Sequence, residues 1–130
     1  MGHGLLMSSP GTAKGTRFEN HVRDAYLRPI WPKAERAPKR GILDRGDYDH
    51  CNGWIVEAKH RKRWDVGEWV RTILKKVQRE GASPWVIFFA GDKRSTIPLD
   101  LALVPAEQYA GQLRRLAACR CDRVADHGSE

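Results

Sequence analysis

The residues best suited to chemistry lie in one stretch, which runs from Gly46 to Lys59 and reads Gly-Asp-Tyr-Asp-His-Cys-Asn-Gly-Trp-Ile-Val-Glu-Ala-Lys. Its second half follows an Asn52-Gly53 turn signal and is rich in residues that favour strands. Because side chains alternate along a strand, Glu57 and Lys59 are expected on one face, beside apolar neighbours. Burying charged groups beside the core is energetically unfavourable unless they are paired or serve a function.

Two further carboxylates, Asp47 and Asp49, precede the turn. If the two halves pair as a hairpin across residues 50–53, one of these carboxylates faces Glu57 over a small space. Two carboxylates and a backbone carbonyl form an all-oxygen site that suits Mg²⁺ and leaves positions for water and phosphate. Such an ion stabilises charge on a scissile phosphate and lowers the pKa of the attacking water. Lys59 could orient that water or neutralise the developing charge, so the stretch favours phosphodiester hydrolysis.

An Asp followed ten residues later by Glu-x-Lys at a strand end resembles the core signature of the PD-(D/E)XK nuclease superfamily. A wider pattern resembles small phage-encoded members described as Holliday-junction-resolvase-like endonucleases; it comprises Asp44-Arg45-Gly46-Asp47, residues 53–59 and residues 65–70. The resemblance spans roughly residues 16–116. Two features depart from the superfamily. Gly46 replaces the Pro that often precedes the Asp, and no Gln-x-x-x-Tyr follows, which argues against the RecB-type exonucleases.

The resemblance implies an α/β fold with a restriction-endonuclease-like αβββαβ core, in which helices flank a mixed central sheet. It implies a metal-dependent, structure-selective endonuclease that hydrolyses phosphodiester bonds in branched DNA. The implied ligands of Mg²⁺, or of Mn²⁺ in its place, are Asp47 rather than Asp49, Glu57 and the carbonyl of Ala58. Lys59 would position the water. A homodimer is also implied, since cutting two strands of a four-way junction needs two active sites.

The chain has 130 residues, enough for one domain, and a formal net charge of +7, which favours nucleic acid as a partner. Basic residues flank the acidic stretch and the first helix, where they could contact DNA phosphates. The alternative is that they are only solvated surface charges. The candidates are Arg17, Lys39, Arg40, Arg45, His60, Arg61, Lys62 and Arg63.

Composition also excludes several classes of protein. Three cysteines, an odd number, do not indicate a disulfide framework, so a reducing compartment is expected. No apolar run approaches the roughly 20 residues of a membrane span. The N-terminus lacks the features of a secretory signal, and no phosphate-binding glycine loop predicts a nucleotide cofactor. The expected location is the cytoplasm, that of the host if the protein is phage-encoded.

The chain is expected to begin with a flexible tail, residues 1–15, which is followed by a single nuclease domain, residues 16–117. A helix is predicted from Thr16, where Thr16-x-x-Glu19 has the form of a capping box, and it ends before Pro29. In the superfamily the first helix often carries a glutamate that approaches the metal through water. Glu19 could therefore cap the helix, serve the metal, or do both. A short edge strand is predicted around Trp31.

The second half alternates between helices and strands. A helix from an Asp65 N-cap to Gly81 carries an apolar stripe, with Arg71, Lys75, Lys76 and Arg79 expected on the opposite side. Residues 85–90 form a strand buried on both faces, and residues 101–104 form another. A last helix begins at Pro105, with Tyr109, Leu113 and Leu116 on its buried face. Residues 118–130 are expected to be a polar tail.

Three other functions remain compatible with the sequence. The first is a nuclease of the same fold that acts on flaps or single-stranded DNA, because branch preference depends on loop shape and dimer geometry. The second is a catalytically inactive DNA-binding protein. The third is a phage structural or interaction protein in which the Glu-x-Lys sequence is incidental, and such a protein would show no salt-dependent affinity for DNA.

Overall fold

The computed structural model describes residues 10–38, 45–81, 84–91 and 99–128. Within these ranges, helix α1 is followed by a π-helical turn and three strands, then by α2, two strands and α3. The elements are α1 (Pro10–Val22), the π-helical turn (Arg23–Leu27), β1 (Glu35–Arg36), β2 (Tyr48–Asp49), β3 (Ile55–Lys59), α2 (Val66–Glu80), β4 (Trp85–Phe89), β5 (Leu101–Leu103) and α3 (Ala106–Gly128).

The described strands form a mixed three-stranded sheet and a separate two-stranded one. In the larger sheet β4 lies between β3 and β5, parallel to β3 and antiparallel to β5. The parallel register places Glu57 opposite Ile87. In the smaller sheet β1 pairs with β2 in antiparallel orientation. The mixed α/β class predicted from the sequence is therefore confirmed.

The alternation of side chains along β3 and β4 divides the core into two layers. One layer joins these strands to α1 and to the loop after it, through Phe18, Val22, Leu27, Val56, Ala58, Val86 and Ala90. The other joins them to α2, through Ile55, Trp69, Ile73, Trp85, Ile87 and Phe89. The sheet is thus covered by helices on both faces, as its near-continuous apolar strands require. The predicted burial of residues 85–90 is confirmed for all but Phe88, which is half-buried.

Helix α2 ends as predicted at both termini. Its first turn is capped by Asp65, whose Oδ1 accepts a hydrogen bond from the Glu68 N–H at 3.3 Å. Gly81 follows the last turn with a φ of 74°, a conformation that favours glycine.

Two predictions about α1 and the loop after it were wrong. The helix begins at Pro10, so Thr16 and Glu19 lie within it and do not form a capping box at its start. The edge strand lies at Glu35–Arg36 and not around Trp31. Trp31 instead donates its N–H to the Leu27 carbonyl at 2.7 Å, which closes the turn after the helix.

The predicted hairpin between the two halves of the acidic stretch is only partly formed. The turn is present, since Asn52 and Gly53 have φ values of 52° and 82° and the Trp54 N–H donates to the Cys51 carbonyl. However, β2 forms its ladder with β1. A single backbone hydrogen bond, from the Asp47 N–H to the Val56 carbonyl at 2.8 Å, joins the two halves directly.

The burial predicted for α3 was wrong. Tyr109, Leu113 and Leu116 are 52%, 47% and 63% exposed, so the apolar side of this helix is not covered by the described part of the chain. The helix also continues to Gly128, through most of the segment expected to be a tail. In the described residues, no helix is both long and apolar enough to cross a membrane.

Candidate functional site

Asp47 is held in place by the backbone of β3. Its N–H donates to the Val56 carbonyl and its Oδ2 accepts from the Ala58 N–H, each at 2.8 Å. This close approach requires Gly46, which has a φ of 120° and whose added Cβ would lie 2.9 Å from the Val56 carbonyl oxygen. Position 46 therefore has no room for a side chain, and its positive φ favours glycine.

The hydrogen bonds of β3 also show where the Ala58 carbonyl points. The Ile55 N–H and the Lys59 carbonyl bond toward β4, to Pro84 and Ala90. Val56 and Ala58 bond in the opposite direction, toward Asp47. Because the N–H and C=O of one strand residue point to the same edge, the Ala58 carbonyl lies on the Asp47 side. Asp47 and this carbonyl therefore share one edge of the strand.

Glu57 brings the second carboxylate to this place. It is 4% exposed and lies on the α2 face of β3. Its carboxyl group lies close enough to that of Asp47 for the two charges to interact, and it forms an ion pair with the ammonium of Lys76 from α2. Of the two aspartates predicted as possible partners, Asp47 is thus the one that interacts with Glu57, while Asp49 lies in β2 opposite Glu35.

The surroundings of Glu57 alter its acidity. Burial, and after it the nearby Asp47 carboxylate, raise the pKa of this carboxyl from its usual value of 4.5 to about 7, although the ammonium of Lys76 opposes the shift. Two carboxylates in one desolvated space do not both ionise readily unless a cation is close. The ammonium of Lys76 supplies part of that positive charge in the protein alone.

Lys76 was missed by sequence analysis, which placed it on the exposed side of α2. Its side chain is only 15% exposed. The signal was in the spacing: Lys76 follows Ile73 by three residues and Trp69 by seven, so it lies on the same helical face as these buried residues. A lysine on an apolar stripe requires an acidic partner, and Glu57 is that partner.

Lys59 and Glu19, the two other predicted catalytic residues, are held by contacts of different kinds. Lys59 is half-buried at the end of β3, and its carbonyl accepts from the Ala90 N–H at 3.0 Å. Glu19 is linked to the residue after Asp47, because the Tyr48 hydroxyl donates to the Glu19 carbonyl at 2.6 Å. Its carboxylate accepts a hydrogen bond from Arg36 at 2.9 Å.

The predicted DNA-binding residues divide into three groups. Arg17, Arg61, Lys62 and Arg63 are exposed, the last three in the turn that leaves β3. Two others have neighbours within the protein, since Arg45 pairs with Glu80 at 3.2 Å and the His60 ring packs edge-on against Phe18 at 5.4 Å. Lys39 and Arg40 lie outside the described residues. The Trp64 ring packs edge-on against Phe89 at 5.1 Å.

The donor set fits a hard divalent cation. The described residues contain no group of three or more His, Cys, Asp and Glu side chains arranged for a metal, but the predicted site uses only two carboxylates and a carbonyl. Oxygen ligands of this kind suit Mg²⁺, which usually keeps several waters and binds through one or two carboxylates. The ion pair of Glu57 with Lys76 places a positive group beside one of these carboxylates.

Comparison of the chain with protein-family models, with curated proteins and with solved structures finds no match.

Removing the ammonium that neutralises Glu57 should destabilise the protein. Lys76→Met leaves two carboxyl groups buried together, and we expect the free energy of unfolding at pH 8 to fall by about 3–5 kcal/mol. Adding Glu57→Gln to this variant should recover part of the loss. Urea unfolding measures both values, with Lys75→Met on the exposed side of α2 as the control. Equal losses for Lys76→Met and Lys75→Met would refute the pairing.

The raised pKa of Glu57 predicts a pH-dependent loss of stability. Between pH 4.5 and about 7 the unfolded chain releases a proton that the folded protein retains, so this carboxyl lowers stability as pH rises through that window. Glu57→Gln abolishes the effect. Relative to the wild type, the variant should therefore gain on the order of 1–3 kcal/mol across the window. Glu68→Gln, at an exposed position, is the control, and a difference that does not vary with pH would contradict the assignment.

Proposed function

We propose that this chain is a metal-dependent, structure-selective DNA endonuclease that hydrolyses phosphodiester bonds in branched DNA, as Holliday-junction resolvases do. The observation that carries the proposal is the hydrogen bond from the Ala58 N–H to the Asp47 carboxylate, which holds Asp47 at the edge of β3 beside the strand residue Glu57. Asp47 and Glu57 are ten apart in sequence, and β3 brings them together with the Ala58 backbone.

The order of the elements supports the same proposal. A helix, three strands, a helix and a strand follow one another from α1 to β4, which is the order of elements in an αβββαβ core, although β1 and β2 form a two-stranded sheet of their own and not part of one central sheet. In such a core the acidic residues lie on the second and third strands. Here Asp47 directly precedes the second strand, and Glu57 lies in the third.

In the proposed reaction, Asp47, Glu57 and the Ala58 carbonyl would hold Mg²⁺ or Mn²⁺. The bound ion would supply a Lewis acid for the scissile phosphate and a water of lowered pKa. Residues of the chain would orient the ligands and the water. The Ala58 N–H keeps the Asp47 carboxylate in one orientation, and the ammonium of Lys59 would orient the water or stabilise charge on the phosphate.

Exposed basic residues would guide the DNA to this site. Arg61, Lys62 and Arg63 follow β3 directly, so the turn that carries them starts where the proposed catalytic strand ends. Among the described residues, no acidic side chain forms an ion pair with these three, which leaves their charges available for phosphates. Paired cuts in a junction would come from a homodimer, acting in the cytoplasm of the cell or of a phage host.

A second candidate function is supported by a specific observation. The ammonium of Lys76 contacts the carboxylate of Glu57. In a catalytically inactive DNA-binding protein such a lysine could take the place of the metal permanently. Binding of Mn²⁺, measured by calorimetry, separates the two candidates, since the inactive protein would not bind the ion at this site.

Loss of either carboxylate should abolish metal-dependent cleavage. We expect Asp47→Asn and Glu57→Gln each to lower the rate by about 10²-fold or more, because each removes a ligand and a negative charge. Asp49→Asn is the matched control, since Asp49 lies two residues away and should retain the activity of the wild type. The assay uses labelled DNA with Mg²⁺ or Mn²⁺, and full activity in both ligand variants would overturn the site.

The choice of DNA in that assay decides the substrate. The panel contains a four-way junction, a flap, a linear duplex and a single strand. Paired symmetric cuts in the junction support a resolvase, whereas preferred cleavage of flaps or single strands retains the chemistry and changes the substrate. DNA binding without cleavage in either metal supports the inactive protein.

Substitution of the exposed turn should weaken DNA binding in a salt-dependent way. Arg61→Ala and Arg63→Ala each remove a proposed phosphate contact, so the slope of log K against log[salt] should become shallower by about 1 in each variant. Arg71→Ala serves as the control, because Arg71 lies on α2 and pairs with Glu68. Fluorescence anisotropy at several salt concentrations gives the slopes. Slopes that match the wild type would exclude the turn from the interface.

A further inference from the structure

The ammonium of Lys76 is held against the acidic site by the packing of α2. Ile73 and Trp69 lie one and two turns earlier on the same face of the helix, and both are buried in the core layer beneath it. The side chain of Lys76 is itself only 15% exposed, and its ammonium contacts Oε1 of Glu57. A positive charge beside this carboxylate is therefore part of the fold.

A third acidic residue, Glu19, is engaged elsewhere. Its carboxylate accepts a hydrogen bond from Arg36 at 2.9 Å, and its backbone carbonyl accepts one from the Tyr48 hydroxyl. In the described part of the chain, no three His, Cys, Asp or Glu side chains form a group that could hold a metal. The acidic site therefore offers the carboxylates of Asp47 and Glu57, and the second of these already contacts a cation.

A second metal ion would compete with that cation for the same oxygen. In two-metal sites the ions lie about 3.5–4 Å apart, so they share ligands. Mg²⁺ lies roughly 2.0–2.1 Å from an oxygen ligand, and an ammonium nitrogen lies roughly 2.7–2.9 Å from the carboxylate oxygen it contacts. A second ion on Oε1 of Glu57 would therefore crowd and repel the ammonium of Lys76, which already contacts that oxygen.

The charges of the site balance with a single divalent ion. Once an ion is bound, Asp47 and Glu57 contribute two negative charges, and Lys59 and Lys76 contribute two positive ones. A phosphodiester and an attacking hydroxide bring two further negative charges, which one divalent cation neutralises. A second ion would leave two surplus positive charges beside a buried carboxylate, and uncompensated charge is unfavourable in a desolvated space.

We infer that Lys76 takes the place of a second metal ion, so that the acidic site holds one divalent cation. The inference rests on the proposed function, in which Asp47 and Glu57 hold a metal. It adds the number of ions and a role for a residue outside the Glu-x-Lys motif. Lys76 is a positioning residue, which keeps the Glu57 carboxylate in place for the first ion and excludes a second one.

Two other roles for Lys76 make different predictions. If the ion pair with Glu57 serves only stability, loss of the lysine leaves the number of bound ions unchanged. If Lys76 takes the place of the only ion, as in the catalytically inactive DNA-binding protein, the wild type binds no ion and loss of the lysine creates a first site. The number of ions with and without Lys76 therefore separates all three roles.

Isothermal titration calorimetry with Mn²⁺ counts the ions in the absence of DNA, so the result does not depend on cleavage. The wild type should bind one ion per chain and Lys76→Gln should bind two, whereas Lys76→Arg keeps the charge and should bind one. Lys75→Gln, at an exposed position of α2, is the matched control and should also bind one. In Asp47→Asn the ion should be lost, which shows that the ion counted is the one at the acidic site.

A second measurement needs no substitution of Lys76. Two Mn²⁺ ions about 3.5–4 Å apart are spin-coupled, so electron paramagnetic resonance of the Mn²⁺-loaded wild type should give the spectrum of an isolated ion. Far-UV circular dichroism checks that every variant is folded.

The outcomes separate the inference from the proposed function. Two ions in the wild type, or one ion in both the wild type and a folded Lys76→Gln protein, overturn the inference and leave the proposed function intact. A wild type that binds no Mn²⁺ refutes the metal site, and with it both the proposed function and the inference. A first ion that appears only in Lys76→Gln then supports the inactive DNA-binding protein.

Discussion

The arrangement of this protein depends on one buried carboxyl group, that of Glu57, which has the carboxyl group of Asp47 beside it. The two groups repel each other when both are ionised, and burial makes the charge of Glu57 still more unfavourable. Lys76 offsets part of this cost from the facing helix, and the Ala58 N–H satisfies one oxygen of Asp47. A protein that needed only stability would gain by replacing a buried ion pair with apolar residues of similar volume. A buried carboxyl group with a raised pKa is typical of functional sites, and the proposed function assigns these oxygens to a divalent cation.

The fold makes this placement possible by covering both faces of β3. The α2 layer encloses Glu57 on one side, and the α1 layer holds Val56 and Ala58 on the other. Because β4 occupies one edge of β3, Asp47 approaches the other edge. Its N–H and its carboxylate each form a hydrogen bond of 2.8 Å with the β3 backbone, and only a glycine at position 46 permits this approach. The site thus combines Asp47, which precedes β2, with Glu57 and Ala58 of β3 and Lys76 of α2, and β3 is held in the sheet by its parallel pairing with β4.

Sequence patterns predicted the parts of this fold that depend on local physics. Three features could be predicted because each follows from the chemistry of a few adjacent residues. They are the N-cap at Asp65, the end of α2 at Gly81 and the buried strand at residues 85–90. The convergence of Asp47 with Glu57 was predicted as well, although through a hairpin that is reduced to one backbone bond. The role of Lys76 was missed because a lysine was assigned to the solvent side by its charge, even though its spacing from Ile73 and Trp69 placed it inward. The start of α1 at Pro10 was missed because Thr16 and Glu19 match a capping box that the helix does not use.

The error at α3 has a different origin, because the amphipathic pattern there was correct and only its partner was wrong. Tyr109, Leu113 and Leu116 do form one face of a helix, but a pattern of spacing does not say whether the covering surface belongs to the same chain. An apolar groove beside them is lined by Trp54, Val86 and Phe88, which lie on the α1 side of the sheet. Glu57 points to the opposite side, toward α2. The groove and the Glu57 side chain therefore lie on opposite faces of the sheet, so a molecule bound in the groove would not contact Glu57.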